Sequence, residues 1–365
     1  LSLTAEYAFN PPETSNWLYG IASDFLLDRG GRREGRIEAA DVAARAAEFD
    51  YAAAVWSVRM AVRRAFDKRA VSIREADVAS RLVAIRRRQF DAVRRRVDAG
   101  EVSRLELDRV RADLSGSLQT ELGARAAISR ATVDLLAALG LPSDAIEADR
   151  IATAPTADLP ALPAVTPAQV ASSLELRTEI LQATAAYDRS EAALRVAVAS
   201  QYPQVSLGPG YTWERGLAKL PFNLSLTLPT SDRAHAMIAA AEARRVEAGK
   251  QLEAAVAAVT SSIARADADY RAALAALDLV RSETLPTAMA LARQADVEFD
   301  AGAINRADWA ASQAGLLTAK LDEITAAGTV LNAEAALEDA LRRPLRPPET
   351  VIGSTLFTPS TESDR

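Results

Sequence analysis

The chain contains no cysteine. That excludes a disulfide framework and thiolate chemistry, and a cysteine-free chain fits a protein of the cell envelope. Histidine occurs once, at His235, so no His/Cys metal site can be assembled within one chain. Aromatic residues make up only 5% of the 365 residues. An Ala-rich chain so poor in rings favours helices packed closely along their length over a thick globular core. No apolar run reaches the ~18 residues of a transmembrane helix. The net charge of −6, from 43 basic and 49 acidic residues, gives no positive field for nucleic acid. There is no Gly-rich phosphate loop, no nucleophile elbow and no clustered acid/base set. The chain is therefore read as no enzyme, with no cofactor and no bound metal. It begins at Leu1 without an initiator Met or signal peptide, so Leu1 is not read as a natural start.

One stretch that is present organises the rest. Val97-Asp98-Ala99-Gly100-Glu101-Val102-Ser103-Arg104-Leu105-Glu106 recurs as Phe299-Asp300-Ala301-Gly302-Ala303-Ile304-Asn305-Arg306-Ala307-Asp308. Long Ala- and Arg-rich stretches flank each copy. Gly at a helix end takes a left-handed conformation. Ser103 and Asn305 can then cap the next helix. Helices joined by so few residues lie antiparallel, so each copy is the tip of a helical hairpin.

The remaining segments repeat around these tips. Leu1, Leu3, Ala5, Tyr7 and Phe9 alternate with Ser2, Thr4, Glu6 and Ala8, and after the turn-rich residues 10–16 Trp17, Tyr19, Ile21, Phe25 and Leu27 share one parity, with Ser23 the exception. Period-2 alternation predicts two strands with one apolar face, in a first β-hairpin over 1–29. The first long helical hairpin follows over 30–142, its tip at 98–103. Its ascending helix, from Arg33 to Val97, corresponds to roughly 100 Å at 1.5 Å per residue. Pro-rich 143–166 is an irregular connection, and 167–203 is a helix leading to a second β-hairpin over 204–229. There Val205, Leu207, Tyr211 and Trp213 alternate on one strand, Glu214–Lys219 is a loop, and Phe222, Leu224, Leu226 and Leu228 form the other strand. The second long helical hairpin covers 230–343, with its tip at 299–305, and 344–365 is a flexible tail. Within it Leu252, Val256, Val259, Ile263, Ala266, Tyr270, Ala273, Leu277 and Val280 follow a 4-3 spacing, the seam of a coiled coil. The unit strand, strand, long helix, tip, shorter helix occurs twice. The second unit has an extra helix before its strands, so the repeat predicts a matching helix upstream of Leu1.

Four strands with one apolar face form a poor solitary sheet, because its edges stay unpaired. Pairing with copies from other chains closes a barrel and satisfies the backbone in lipid. The order of elements, the duplicated tips, the junctions Phe25–Arg33 and Ile238–Ala243, and Gln201-Tyr202-Pro203-Gln204-Val205-Ser206-Leu207 resemble the TolC family of outer-membrane efflux factors. Gly100-Glu101-Val102-Ser103-Arg104-Leu105-Glu106-Leu107 is most similar to its heavy-metal, CzcC-like branch. The resemblance implies a mixed α and β membrane protein with two strand-strand-helix-helix repeats. Its four β-strands per chain would contribute to a trimeric 12-stranded β-barrel continued by a long α-helical coiled-coil tunnel. It further implies a homotrimer in outer-membrane lipid that extends into the periplasm of a Gram-negative bacterium. Its partners would be a periplasmic adaptor (a membrane-fusion protein) and an inner-membrane RND-type pump. The function implied is the passive exit duct of a tripartite efflux system. The competing reading is a soluble or periplasmic coiled-coil scaffold without channel activity.

The resemblance also assigns residues. Glu106 and Asp308 stand where family members carry acids that ring the periplasmic entrance; the family's second acid falls on Ala311 here. The plainer reading is that both are acids favoured at a helix start. Gly100, Val102, Ser103, Arg104, Gly302, Ile304, Asn305 and Arg306 match adaptor-contacting positions, although turn and cap chemistry explains all of them but the two arginines. Arg86–Arg88 and Arg94–Arg96 make the first ascending arm basic near its tip, against Asp296, Glu298 and Asp300 on the second. Tyr7, Trp17, Tyr19, Tyr211 and Trp213 lie near the strand loops, where an aromatic belt would sit.

Overall fold

The computed structural model describes residues 2–7, 9, 17–27, 31–147, 150–151, 161–214, 217–227 and 231–346. The turn at 10–16, the residues 28–30 of the first strand-to-helix junction, Pro155, Pro160, Pro229, Thr230 and the tail from 347 lie outside this set. The strands are β1 (Ser2–Tyr7), β2 (Trp17–Ala22), β3 (Phe25–Leu27), β4 (Gln204–Glu214), β5 (Leu217–Lys219) and β6 (Phe222–Thr227). The helices are α1 (Arg32–Asp98), α2 (Arg104–Ala138), α3 (Pro167–Leu176), α4 (Thr178–Ala199), α5 (Ser231–Leu279), α6 (Leu285–Asp300) and α7 (Arg306–Leu341). Two compact units result, one of 1–52 with 177–257 and one of 53–176 with 258–365.

The first unit holds the sheet. β2 and β3 pair with one side of β4, β5 and β6 with the other, and β1 pairs with β2, all antiparallel. The β2 and β3 pairings share one register on β4, from Leu18 opposite Glu214 to Leu27 opposite Val205. The same holds for β5 and β6, from Glu214 opposite Leu217 to Gln204 opposite Thr227. Each pair is thus one strand bent midway, where Ser23 N–H reaches the Pro209 carbonyl and Gly210 N–H the Pro221 carbonyl. The expected loop at Glu214–Lys219 is shorter than that, because Leu217–Lys219 pair with Thr212–Glu214.

Helix α4 packs in the same unit through small residues; Ala192 is fully buried and Ala185, Ala197 and Ala199 nearly so. The approach to α1 is close: a Cβ on Gly35 would lie 2.7 Å from Val196 Cγ2, so glycine is required inside this helix. Arg32 donates to the carbonyls of Ala199 (3.1 Å) and Tyr202 (2.9 Å), placing a cation on the negative end of α4. The single helix expected over 167–200 is broken at Arg177, whose extended backbone separates α3 from α4. Thr166 starts α3 with a reciprocal cap: its hydroxyl accepts from Gln169 N–H and the Gln169 side chain accepts from Thr166 N–H.

In the second unit α7 is the most buried helix. Val71 and Val78 of α1 meet Ile324 and Leu331 of α7, and Trp56 and Met60 meet Ala335. These pairings run antiparallel. Gly328 allows the contact, since a Cβ there would lie 3.0 Å from Val71. The fully buried Glu334 and Glu338 of α7 are neutralised by arginines. Arg63 bonds both carboxylates, Arg59 bonds Glu338, and Arg346 grips Glu334 through two contacts of 2.6 Å. Beside them Asp339 accepts from Trp56 (2.8 Å) and Arg64 (2.8 Å). Burial raises the Asp339 carboxyl, but the Trp56 and Arg64 bonds and the Arg342 charge outweigh it, so its pKa is lowered overall. Pairing to Glu334 holds the Arg346 pKa above its ordinary value.

The 4-3 seam of α5 is present: Val259, Ile263, Ala266, Tyr270, Ala273 and Leu277 are buried. The helix expected to run on to Glu298 is interrupted, however, by a π-turn at Val280–Thr284. Pro286 explains it. Proline has no N–H, and in a regular α-helix its ring would clash with the carbonyl four residues before it.

Candidate functional site

The two duplicated turns come together. Ala307, at the start of α7, is buried with Ala92, Val93 and Val110 of the first hairpin, and Phe90, Val97, Val102 and Leu107 pack around them. At the first tip Gly100 has φ +74°. Its N–H bonds the Val97 carbonyl (3.0 Å), while Glu101 N–H reaches Arg96 (2.9 Å), which closes the last turn of α1. Ser103 caps α2 by accepting from Glu106 N–H at 3.3 Å. The second tip repeats this with Gly302 at φ +71° and Ala303 N–H on the Glu298 carbonyl (2.8 Å). Asn305 accepts from the N–H groups of Ala307 (2.8 Å) and Asp308 (3.1 Å).

The matched residues divide by exposure. Gly100, Ser103, Arg104, Gly302 and Arg306 face solvent, whereas Val102 and Ile304 are half-buried, Val102 within the tip core. Leu105, not singled out from the sequence, is 63% exposed. Its neighbours Arg104 and Glu106 conceal it from any apolar-run signal. Glu106 is exposed, with Arg109 4.0 Å away. Asp308 is also exposed, and its carboxylate accepts from the Asn305 amide at 2.6 Å, which fixes its direction. On the acidic arm Asp296 is committed to Trp309 (2.7 Å) and Gln313 (2.8 Å), so it braces the hairpin. Arg87, Arg88, Arg94 and Arg95 of the first arm are exposed.

The sheet carries the other set of matched residues. One face bears Leu3, Tyr7, Trp17, Tyr19, Ile21, Tyr211, Phe222, Leu224 and Leu226, each more than 40% exposed. Its rings form a connected row. Tyr7 meets Trp17 edge-on at 4.8 Å, Trp17 stacks on Tyr19 at 5.7 Å, and Tyr19 on Trp213 at 6.1 Å. Tyr211 sits one step inward, opposite Ile21. Phe9 extends the row, 5.1 Å from Tyr7; the alternation that marked Tyr7 marks it equally. The opposite face is mixed: Thr4, Gly20 and Thr212 at one end and Asn223, Ser225 and Ser206 at the other are small or polar, with Leu18 and Leu26 among them. A Cβ on Gly208 would lie 2.6 Å from Asp24 Oδ1, so a larger residue there would have to push the Asp24 carboxylate aside. His235 is exposed, and no group of three or more His, Cys, Asp or Glu able to hold a metal exists among the described residues. No described helix is long and apolar enough to cross a membrane.

Strand hairpins alternating with helical hairpins in one chain are the architecture of outer-membrane channels. The fold matches the open state of the MtrE outer membrane channel of Neisseria gonorrhoeae with a TM-score of 0.77, over 93% of this chain and 80% of that one at 21% identity. It matches the outer membrane protein VceC of Vibrio cholerae with a TM-score of 0.74, over 93% and 85% of the two chains at 19% identity. The chain belongs to the outer membrane efflux protein family, whose sequence profile matches residues 2–141 and 170–341. A curated relative, the cobalt-zinc-cadmium resistance protein CzcC of Cupriavidus metallidurans, is 25% identical over 320 residues, covering 87% of this chain and 75% of that protein. Family and fold are those of channel proteins and not of enzymes, and the protein is one of the Gram-negative outer membrane.

Proposed function

We propose that the chain is the exit duct of a tripartite efflux system, passively conducting substrate that an inner-membrane RND-type pump delivers through a periplasmic adaptor. The observation that carries this reading is the sheet: its two hairpins meet on β4, no strand among the described residues pairs with either outer edge, and one face is apolar with a row of rings. Three copies would supply twelve strands, enough to close a barrel around a lumen. The apolar face then meets lipid, with Tyr7, Trp17, Tyr19, Tyr211 and Trp213 as its belt, and Thr4, Thr212, Asn223 and Ser225 line the lumen. A soluble scaffold is disfavoured because it would leave this face against water. Likeness to CzcC supports heavy-metal cations as the cargo.

The tips are assigned to the periplasmic mouth, with Arg104, Leu105 and Arg306 offered to the adaptor and Glu106 and Asp308 to the entrance. The test is planar-bilayer recording of the purified full chain and of Asp308→Ala. The unaltered chain should give discrete pores partly blocked by multivalent cations, and Asp308→Ala should raise conductance and weaken that block. Absence of any pore would overturn the duct. Unchanged conductance and block in the variant would leave Asp308 as the partner of the Asn305 cap and no more.

A further inference from the structure

The described sheet carries few charges. On the face that bears Thr4, Thr212 and Asn223, the residues Glu6, Glu214 and Lys219 lie in the two rows nearest the turns, and Lys219 pairs with Glu214. Asp24 stands apart from them. It occupies the bend between β2 and β3. The register that sets Ala22 opposite Gly210 and Phe25 opposite Leu207 puts it level with Gly208 and Asn223. Gly208 lies near the middle of β4, which runs from Gln204 to Glu214, so this row crosses the sheet midway. A charge midway along a membrane strand is costly toward lipid and belongs on the watered side.

The row is open around that carboxylate. A Cβ on Gly208 would lie 2.6 Å from Asp24 Oδ1 and 3.3 Å from Asn223 Cβ, so the two side chains converge over bare backbone. The next rows on this face hold Ala22 and Gly210 on one side and Leu26, Ser206 and Ser225 on the other, none of them charged. Asp24 is exposed, and among the described residues no cationic side chain pairs with it. We propose that Asp24, repeated around the trimer, forms a ring of three carboxylates inside the barrel that selects cations in transit and binds divalent metal ions weakly. The inference rests on the reading of the chain as a duct, and it gives that duct a selecting site in its membrane part, distinct from Asp308. A ring of like charges in a low-dielectric wall concentrates counter-ions and repels ions of its own sign. The second hairpin supplies the Asn223 amide at this level, so each chain adds one negative charge. Carboxylate and amide oxygens without imidazole or thiolate hold a zinc ion loosely, which allows it to enter and to leave.

The test is the reversal potential of the purified full chain in planar bilayers under a potassium chloride gradient, with zinc chloride as the probe of block. Asp24→Asn should still form pores, but its potassium-to-chloride permeability ratio should fall by about threefold or more and zinc block should weaken. Asp24→Glu should keep both properties. The same fall should appear in an Asp308→Ala background, because the two acids lie in different units of the chain. The absence of native cysteine allows the charge to be put back. In Asp24→Cys a sulfonate-bearing methanethiosulfonate should restore cation preference, and an ammonium-bearing one should lower it further. Absence of pores in the unaltered chain would overturn the duct itself. Pores with equal permeability ratio and equal zinc block in the parent, Asp24→Asn and both labelled forms of Asp24→Cys would overturn the ring and leave the duct standing. Loss of heat-resistant assembly on gels in both Asp24→Asn and Asp24→Cys would make Asp24 a structural residue of the bend and likewise overturn the ring.

Discussion

Arg342 has φ +49°, the one positive value among the described non-glycine residues. A side chain in the left-handed region costs on the order of 1 kcal/mol, and the contacts it gains offset this. The guanidinium donates to Asp339 at 3.2 Å and lies 5.8 Å from the centre of the Trp56 ring. Asp339 thereby gathers Trp56, Arg64 and Arg342, and its folded-state pKa falls below the unfolded value of about 3.9. A depressed carboxylate contributes stability that is present above the unfolded value and is lost as pH falls through the folded one. Melting followed by circular dichroism should therefore show stability dropping below about pH 4, with a shallower drop in Asp339→Asn. The side chain is 34% exposed, so the effect should be modest. Identical acid slopes in the two proteins would show that the depression has no energetic consequence.

Among the elements, the bent strand of β5 and β6 allows the sharpest comparison. Leu224 and Ser225 are neighbours on opposite faces, Leu224 opposite Leu207 and Ser225 opposite Ser206. If the apolar face meets lipid, Leu224→Arg should cost about 2–4 kcal/mol near mid-bilayer and impair assembly. Ser225→Arg should assemble normally and reduce cation conductance by adding positive charge to the lumen. Leu226, at the end of the strand, should tolerate Arg better than Leu224, because the penalty falls toward the interface. Heat-resistant assembly on gels and bilayer recording would check all three. Equal damage from Leu224→Arg and Ser225→Arg would reverse or abolish the assignment of faces. The helical hairpins owe their turns to local chemistry. Without a Cβ clash in reach of Gly100 or Gly302, glycine is needed there for its backbone alone.

For the whole molecule, the open edges of β1 and of β5/β6 set the expectation. Among the described residues no strand pairs with the outer side of either, and lipid cannot satisfy backbone groups left open there. Light scattering in detergent, corrected for bound detergent, should report three chains per particle. A stable monomer in water would remove the barrel and leave a scaffold.

The sequence by itself determined what depends on near neighbours. Left-handed glycine, a capping Ser103 or Asn305, period-2 alternation and the seam from Val259 to Leu277 all arise within a few residues, and each was legible. The π-turn also had a local signal, Pro286, that the periodicity of α5 masked. Only the tertiary structure decided the rest. Ile21 lies opposite Tyr211 because two hairpins far apart in the chain share a sheet edge, and no local pattern specifies that register. Val102 belongs to the tip core because Ala307 of the other hairpin packs into the same cluster. Glu334 and Glu338 look like ordinary solvent-facing helix acids in the sequence. They are buried because Arg59, Arg63 and Arg346 converge on them, and a charge enters a protein interior only where distant partners meet it.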